Sequence, residues 1–420
     1  MKHSTFLLAL LALAISFQGY ANGGGGNKPS PKVKGFTVYT TPTTESESQP
    51  KFRVDVGGLI QLNSLYDITG GVPDDEIYIQ NIAPTGTDTW RNKRFHMDGR
   101  QNRIKVESFY DTGDGEIITT VEGDFHGSGG HIFRLRLGWV EYKGFRFGFD
   151  WTTMSDGNAW PNVFDFNGPS SVLWQRKAIA RYTHVFGKKF TVQIAAEQPD
   201  FSIDYTNVVG TETPVDNRTI GRINQSVPDI VGAVGYKYNN GSILRLAGII
   251  RSFRYATLNT DETVNARKTT IGAGASLTGK FYLYSKSNII FQANYGRGLG
   301  DYYVTTWGFP GWDALPSLTG ENVAVPPSYG IMGAYQHFWA RKWSSTFTYS
   351  YLFIDKPKYD GYDRFDGDAI LKGHYTSGNV SYHATDAFQI ALEYVYANRH
   401  DINDVFGQAN RVYFAAQYWF

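Results

Sequence analysis

FRLRLGWVEYKGFRFGFDW, residues 133–151, is two short alternating runs joined by Lys143-Gly144. In the first, Phe133, Leu135, Leu137 and Trp139 fall on one side of a period of two, with Arg134 and Arg136 on the other. In the second, Phe145, Phe147, Phe149 and Trp151 oppose Arg146 and Asp150. A period of two belongs to an extended strand, whose successive side chains point to opposite faces. Such strands cannot bury both faces in a dry core. Even a neutral polar group without a partner costs roughly 2–7 kcal/mol there, and a charged one far more. They fit a wall with lipid on one side and water on the other.

The same pattern recurs along the chain, at 52–67, 93–111, 116–125, 132–142, 145–151, 173–186, 189–197, 229–239, 242–255, 267–279, 285–297, 329–339, 342–354, 371–384, 387–399 and 408–420, sixteen segments in all. Their connections alternate in length. Short turns stand at 112–115, 143–144, 187–188, 240–241, 278–283, 340–341 and 385–386, and long connections at 68–92, 152–172, 198–228, 256–266, 298–328 and 355–370, with the second and eighth outer loops, 126–131 and 400–407, shorter. An up-and-down barrel with short periplasmic turns and long outer loops has this rhythm, with both termini on the periplasmic side. The expectation is all-β: a 16-stranded antiparallel transmembrane β-barrel whose third outer loop, 152–172, folds inward. VYFAAQYWF, 412–420, closes the chain on an alternating strand ending in Phe420, as the assembly signature of outer-membrane barrels does.

Composition agrees. Aromatics make up 16% of the chain and there are 46 Gly, a mixture suited to strands and tight turns. Lys2 and His3, the apolar run Phe6 to Phe17 and Gly19-Tyr20-Ala21 read as an export signal, the apolar run of about 12 residues falling short of the ~20 a spanning helix needs. This divides the chain into a signal peptide at 1–21, a flexible periplasmic leader at 22–51 and the barrel at 52–420. There is no cysteine, so stability in an oxidising compartment rests on the closed hydrogen-bonded wall. With 40 Lys and Arg against 39 Asp and Glu, nothing points to nucleic acid as a partner.

RFHMDGRQNRIKVES (94–108), TVEGDFHGSGG (120–130), FRLRLGWVEY (133–142), DWTTMSDGNAWPNVFDFNGPSS (150–171) and WQRKAIARYTHVF (174–186) resemble, in order and spacing, successive blocks of the DcaP-like porin family. The resemblance implies a trimeric outer-membrane porin passing small solutes, anionic dicarboxylates among them. It places Arg100 and Arg103 on the arginines of one block, Glu122 and Asp124 on the acids of the next, and Arg181 on the arginine before a Tyr-Thr pair.

Period two puts Arg103, Lys105, Arg134, Arg136, Arg146, Lys177, Arg181, Arg245 and Arg251 on the lumen face, opposed by Glu107, Glu122, Asp124, Asp150 and Glu197. The third loop's Asp156 and Asp165 are expected to face this basic wall and set up a transverse field. Cations exceed acids, which favours small anions, although any one pair could simply brace the wall. Other features carry a plainer reading beside a functional one. Tyr302, Tyr303, Trp307, Trp312, Trp339 and Trp343 suit interfacial girdles better than a sugar-stacking path. The aspartates of 355–369 lack the spacing of a calcium loop, and His126 with His131 lacks a third metal ligand. No G-x-S-x-G elbow is present.

The resulting expectation is a non-enzymatic, multi-pass porin of the Gram-negative outer membrane. It needs no cofactor or metal, sits among outer-membrane lipid and lipopolysaccharide, forms a homotrimer by family resemblance, and admits small anionic solutes by passive diffusion. The alternatives are a channel specific for sugars or aromatic acids, a barrel enzyme, and an adhesive barrel with a blocked lumen.

Overall fold

The computed structural model describes residues 36–40, 52–70, 72, 76–87, 89–127, 130–200, 221–223, 225–258, 263–306, 313–316, 323–355, 370–401 and 404–420. Sixteen antiparallel strands close into one barrel. In chain order they are β1 (Phe52–Thr69), β2 (Arg94–Asp98, resumed at Arg103–Asp111), β3 (Glu116–Gly127), β4 (Ile132–Tyr142), β5 (Phe145–Trp151), β6 (Arg176–Phe186), β7 (Phe190–Glu197) and β8 (Asp229–Lys237). The second half comprises β9 (Ile243–Leu258), β10 (Val264–Tyr282), β11 (Asn288–Arg297), β12 (Pro327–Ala340), β13 (Trp343–Ile354), β14 (Ile370–His383), β15 (Phe388–Asp401) and β16 (Phe406–Trp419).

Each strand pairs with its sequence neighbours, and β16 returns to β1 in a ladder running from Leu59↔Trp419 to Thr69↔Asn410. Phe420 completes the seam, exchanging backbone hydrogen bonds with Gly58 at 3.0 and 3.2 Å. Closure pairs the first and last strands and so leaves the wall without a free edge, as the membrane interior demands. Apolar side chains such as Phe133, Ile250, Ile271 and Leu392 stand exposed on the outer face, while alternate polar side chains are buried inside.

The expectation of a multi-pass protein is corrected. The strands form a single membrane-spanning body, and no helix among the described residues is long and apolar enough to cross a membrane.

Local departures from strict alternation have physical causes. A β-bulge opposes Glu122 to Leu137 and Gly123 to Leu135, leaving Arg136 as the extra residue. Phe133 and Leu135 face lipid as expected, but beyond the bulge the faces exchange. Leu137, 2% exposed, and Trp139, opposite the buried Thr120, look into the lumen. The strand expected over 93–111 breaks at Gly99-Arg100-Gln101-Asn102, where the Asn102 side-chain oxygen accepts the Gln61 N–H at 2.6 Å. The strand expected from 173 begins at Arg176, because Leu173 bridges to Tyr303 and the Trp174 N–H donates to Tyr302 at 2.9 Å. Within the span read as a flexible leader, Phe36–Thr40 forms a strand on the start of β1, with Phe36 opposite Val56. The remainder of that leader and the signal peptide lie outside the described residues.

The third outer loop folds into the barrel as expected and docks on β10–β15, whose inward faces offer it short polar side chains beside Ile290, Met332, Ala334 and Ala391. Glu393 accepts the Phe164 and Asp165 N–H groups at 2.8 and 3.0 Å, Asn379 donates to the Asn162 carbonyl at 2.6 Å, and Ser171 N–H donates to Ser350 at 3.0 Å. Val163, Phe164, Ala159 and Trp160 are buried in this contact. The sixth outer loop, 298–328, meets it, with the Val304 N–H donating to the Val172 carbonyl at 3.1 Å.

Candidate functional site

With the third loop held against β10–β15, the charged wall of β2–β6 is left across from it. Here the strands assemble a ladder of cations. Lys105 pairs with Glu107 at 2.8 Å, and Arg100, in the break of β2, with Asp98 at 2.9 Å. Arg103 stands directly opposite Asp124 in the β2–β3 register and is buried. Arg134 grips Asp124 with two nitrogens at 2.9 and 3.0 Å, while Arg136 reaches both Glu122 at 2.8 Å and Asp124 at 2.6 Å. One carboxylate thus serves two guanidiniums. Nearer the short turns, Arg146 bonds Glu141 at 2.7 Å and shares Asp150 with Arg181, each at 2.7 Å.

Arg176 sits beside this ladder with its guanidinium 5.3 Å from the Trp151 ring. It makes no ion pair among the described residues, and its Nη1 is buried without a hydrogen-bond partner there. The sequence reading missed it because period two assigns Lys177 to the lumen and so turns Arg176 to lipid. As the first residue of β6 it escapes the alternation. The available signal was energetic: an arginine on the lipid face costs up to ~2–4 kcal/mol, a reason to turn inward.

The third loop's acids do not face the arginines of β2–β6; of the basic residues expected on the lumen face, Arg245 on β9 is in electrostatic reach of Asp156. Asp156 caps the short helical turn 157–159 and accepts the Thr278 hydroxyl at 2.5 Å. Asp165 accepts the Ile77 N–H and the Tyr413 hydroxyl, each at 3.1 Å, on the opposite side of the barrel. Burial pushes its carboxyl up to about 6, against the Ile77 hydrogen bond and the Arg411 charge that pull it down. Both acids are spent anchoring the loop. What meets the arginines is uncharged: Phe166 lies 5.7 Å from the Arg136 guanidinium and stacks on His126 at 4.8 Å. Phe166 and Asn167 join Arg134, Arg136, Arg176, Trp151 and Trp174 around a narrow recess of 50 Å³. Further along β4 toward the short turns, Arg53, Lys105, Trp139, Glu141 and Arg146 line a wider one of 470 Å³, in which Arg146 covers the Trp139 ring at 3.7 Å.

The remaining candidates lie elsewhere. Lys177 approaches Asp301 of the sixth loop at 3.4 Å. Arg245 bonds the Thr153 carbonyl and, at 3.2 Å, Gln193, holding the start of the third loop. Arg251 is buried between Asp229 at 3.0 Å and Asp313 at 2.7 Å. These three brace loops and do not join the ladder. Glu393 and the Asp67–Arg411 pair, missed from sequence, also work on the loop side.

Among the other features, Trp339 and Trp343 are exposed on the outer surface, whereas Tyr302 and Tyr303, within the sixth outer loop, are buried. His126 is packed inside against Phe166, not in a plain surface turn, and among the described residues no cluster fit for a metal occurs. Trp307, Trp312 and the aspartates of 356–369 lie outside the described residues.

A closed barrel whose lumen is lined by charged pairs and narrowed by an inward loop defines a porin of the outer membrane. The sequence matches the model of the DcaP outer membrane protein family over residues 33–420, and the chain belongs to that family. Among solved structures it is similar to the outer membrane channel DcaP of Acinetobacter baumannii, at 18% identity and a TM-score of 0.73 over 91% of this chain and 100% of that one. It is also similar to the anion-selective porin from Comamonas acidovorans, at 11% identity and a TM-score of 0.55 over 88% and 100% of the two chains. A third likeness is to OmpT of Vibrio cholerae, at 13% identity and a TM-score of 0.52 over 90% and 100%. At these identities the likeness is one of fold. No curated protein matches the chain.

Proposed function

We propose that this porin passes small hydrophilic solutes by passive diffusion, prefers anions such as dicarboxylates, and works as a homotrimer without catalysis of its own. The observation that carries the preference is the asymmetry of the constriction. Arg176 has no ion-pair partner among the described residues and Asp124 is shared by two arginines, while the loop surface opposite offers Phe166 and Asn167 but no carboxylate. A basic wall in a narrow pore focuses a positive potential along the path of a solute. The test is the reversal potential of the purified channel in a planar bilayer under a potassium chloride gradient, with succinate flux into liposomes alongside. Chloride preference and succinate uptake support the reading; cation preference overturns it.

A second reading, a channel selective for aromatic acids, is favoured by the rings of Phe166, Trp151 and Trp174 at the same recess. Benzoate blocking single-channel current at concentrations where succinate does not would select it. Ester or lipid hydrolysis by the purified protein would overturn both readings.

A further inference from the structure

On the outer face of β14 and β15, Lys372 is directly opposite His400, and His374 lies two residues further along β14. The alternation fixes their direction: Gly373, Tyr375, Arg399 and Asp401 between them are buried toward the lumen. All three lie close to the outer-loop end, since β14 begins at Ile370 and β15 ends at Asp401. A cation facing hydrocarbon costs ~2–4 kcal/mol at the bilayer midplane and ~0–1 near the interface, so this height is that of headgroups.

The surroundings are aromatic. Phe353 and Tyr351 stand opposite Lys372 and His374 on β13, Tyr329 stacks on Phe353 at 4.8 Å, Tyr351 lies 4.8 Å from the His374 ring, and Phe406 lies 4.7 Å from the His400 ring. The Tyr349 hydroxyl is 2.9 Å from His374 Nδ1. With that hydroxyl donating, the imidazole proton resides on Nε2, which remains as a donor. Among the described residues none of the three makes an ion pair, and Asp404 is the carboxylate in electrostatic reach of His400. Three donors thus stand together at headgroup level, with no ion pair of their own among the described residues.

We propose that Lys372, His374 and His400 bind the phosphate groups of a phosphorylated glycolipid of the outer leaflet, with its sugar rings lying on Tyr351 and Phe353. Two features select a glycolipid over a glycerophospholipid. Donors two residues apart along a strand are separated by about 7 Å, enough to engage more than one phosphate. Flat aromatic faces beside them match the apolar faces of sugar rings.

The experiment uses the folded, detergent-purified full-length protein and a bisphosphorylated, acylated glucosamine disaccharide as probe, with the bound fraction read by native mass spectrometry. The combined variant Lys372→Gln, His374→Gln, His400→Gln is expected to lower that fraction at least about tenfold, with phosphatidylglycerol bound more weakly and excess inorganic phosphate failing to displace the glycolipid. Folding is checked by heat-modifiable migration. Should the combined variant not fold, Lys372→Gln alone is expected to lower binding about threefold. Unchanged glycolipid binding in a folded variant overturns the proposal, as does wild-type protein that retains no glycolipid. Equal, residue-dependent binding of phosphatidylglycerol overturns the choice of a glycolipid.

Discussion

Arg176→Gln is the sharpest probe of the constriction, because it removes a charge without stranding another. Arg176 has no ion-pair partner among the described residues, so no carboxylate is orphaned, and its guanidinium lies 5.3 Å from the Trp151 ring, a contact that the planar amide of glutamine can in part replace. An anion in the recess would sit about 6 Å from the guanidinium, where a unit charge is worth ~0.7 kcal/mol in bulk water and ~2.8 kcal/mol at an effective dielectric of 20. The lumen holds water, so the lower figure sets the expected minimum. At 1.4 kcal/mol per factor of ten, that is at least about a threefold fall in the anion-to-cation permeability ratio. The assay is the bilayer reversal potential, with single-channel conductance showing that the pore is intact. Arg176→Lys should keep most of the wild-type ratio because it keeps the charge. An unchanged ratio in Arg176→Gln would refute the electrostatic argument. So would a lysine variant that behaves like the glutamine one, since shape rather than charge would then be the cause.

Arg136→Gln leaves Glu122 and the Arg136 side of Asp124 uncompensated inside the wall, and breaking a buried pair in this way costs about 3–5 kcal/mol. The temperature at which the barrel loses its compact, heat-modifiable form should fall, and adding Glu122→Gln should recover part of the loss. Glu393→Ala removes the oxygen that accepts two backbone N–H groups of the third loop, leaving them unsatisfied at about 1–3 kcal/mol each, and should raise open-channel current fluctuations while leaving the barrel folded. Asp165 carries a raised folded-state pKa of about 6 against an ordinary 3.8, so its protonated form favours the docked loop. That stabilisation, about 3 kcal/mol at most, is fully present below pH 4 and lost as pH rises through 6. Current fluctuations should therefore grow between pH 4 and pH 7, and Asp165→Asn should flatten this part of the dependence; an identical profile in the variant would exclude Asp165 as the cause.

Much of the barrel was legible because lipid and water impose a simple code on alternate residues. Val412, Phe414, Ala416 and Tyr418 follow it through the final strand, and the strand limits read from sequence fall close to those observed. What could not be read are the places where one residue interrupts the period. The bulge at Arg136 turns Leu137 and Trp139 inward, and no count of apolar positions signals an inserted residue. The ladder from Arg103 to Arg181 was legible for the same reason as the strands. Asp156 and Asp165 were misplaced because a loop has no period, and an acid there can as well accept a backbone N–H as face a distant arginine.

The side on which that loop docks was nevertheless written in the chain. The inward positions of β10, β13 and β14 include Ser276, Thr278, Ser344, Thr346, Thr348, Ser350, Ser377, Asn379 and Ser381, whereas those of β2–β6 are dominated by arginine, lysine and carboxylates. A loop carrying Ala159, Trp160, Val163 and Phe164 buries these side chains against Ile290, Met332, Ala334, Ala391 and Ala415, which give up little hydration, while a hydroxyl such as that of Ser350 accepts a backbone N–H of the loop, that of Ser171. Docking on the charged wall would strip water from ionised groups at several kcal/mol each. The loop is therefore driven to the hydroxyl side, and its carboxylates go with it as anchors for Thr278 and Tyr413. The basic wall keeps its own paired carboxylates and meets Phe166 and Asn167 of the loop as a consequence of how the loop folds, so the proposed anion preference rests on the charge at Arg176 left over from those pairs.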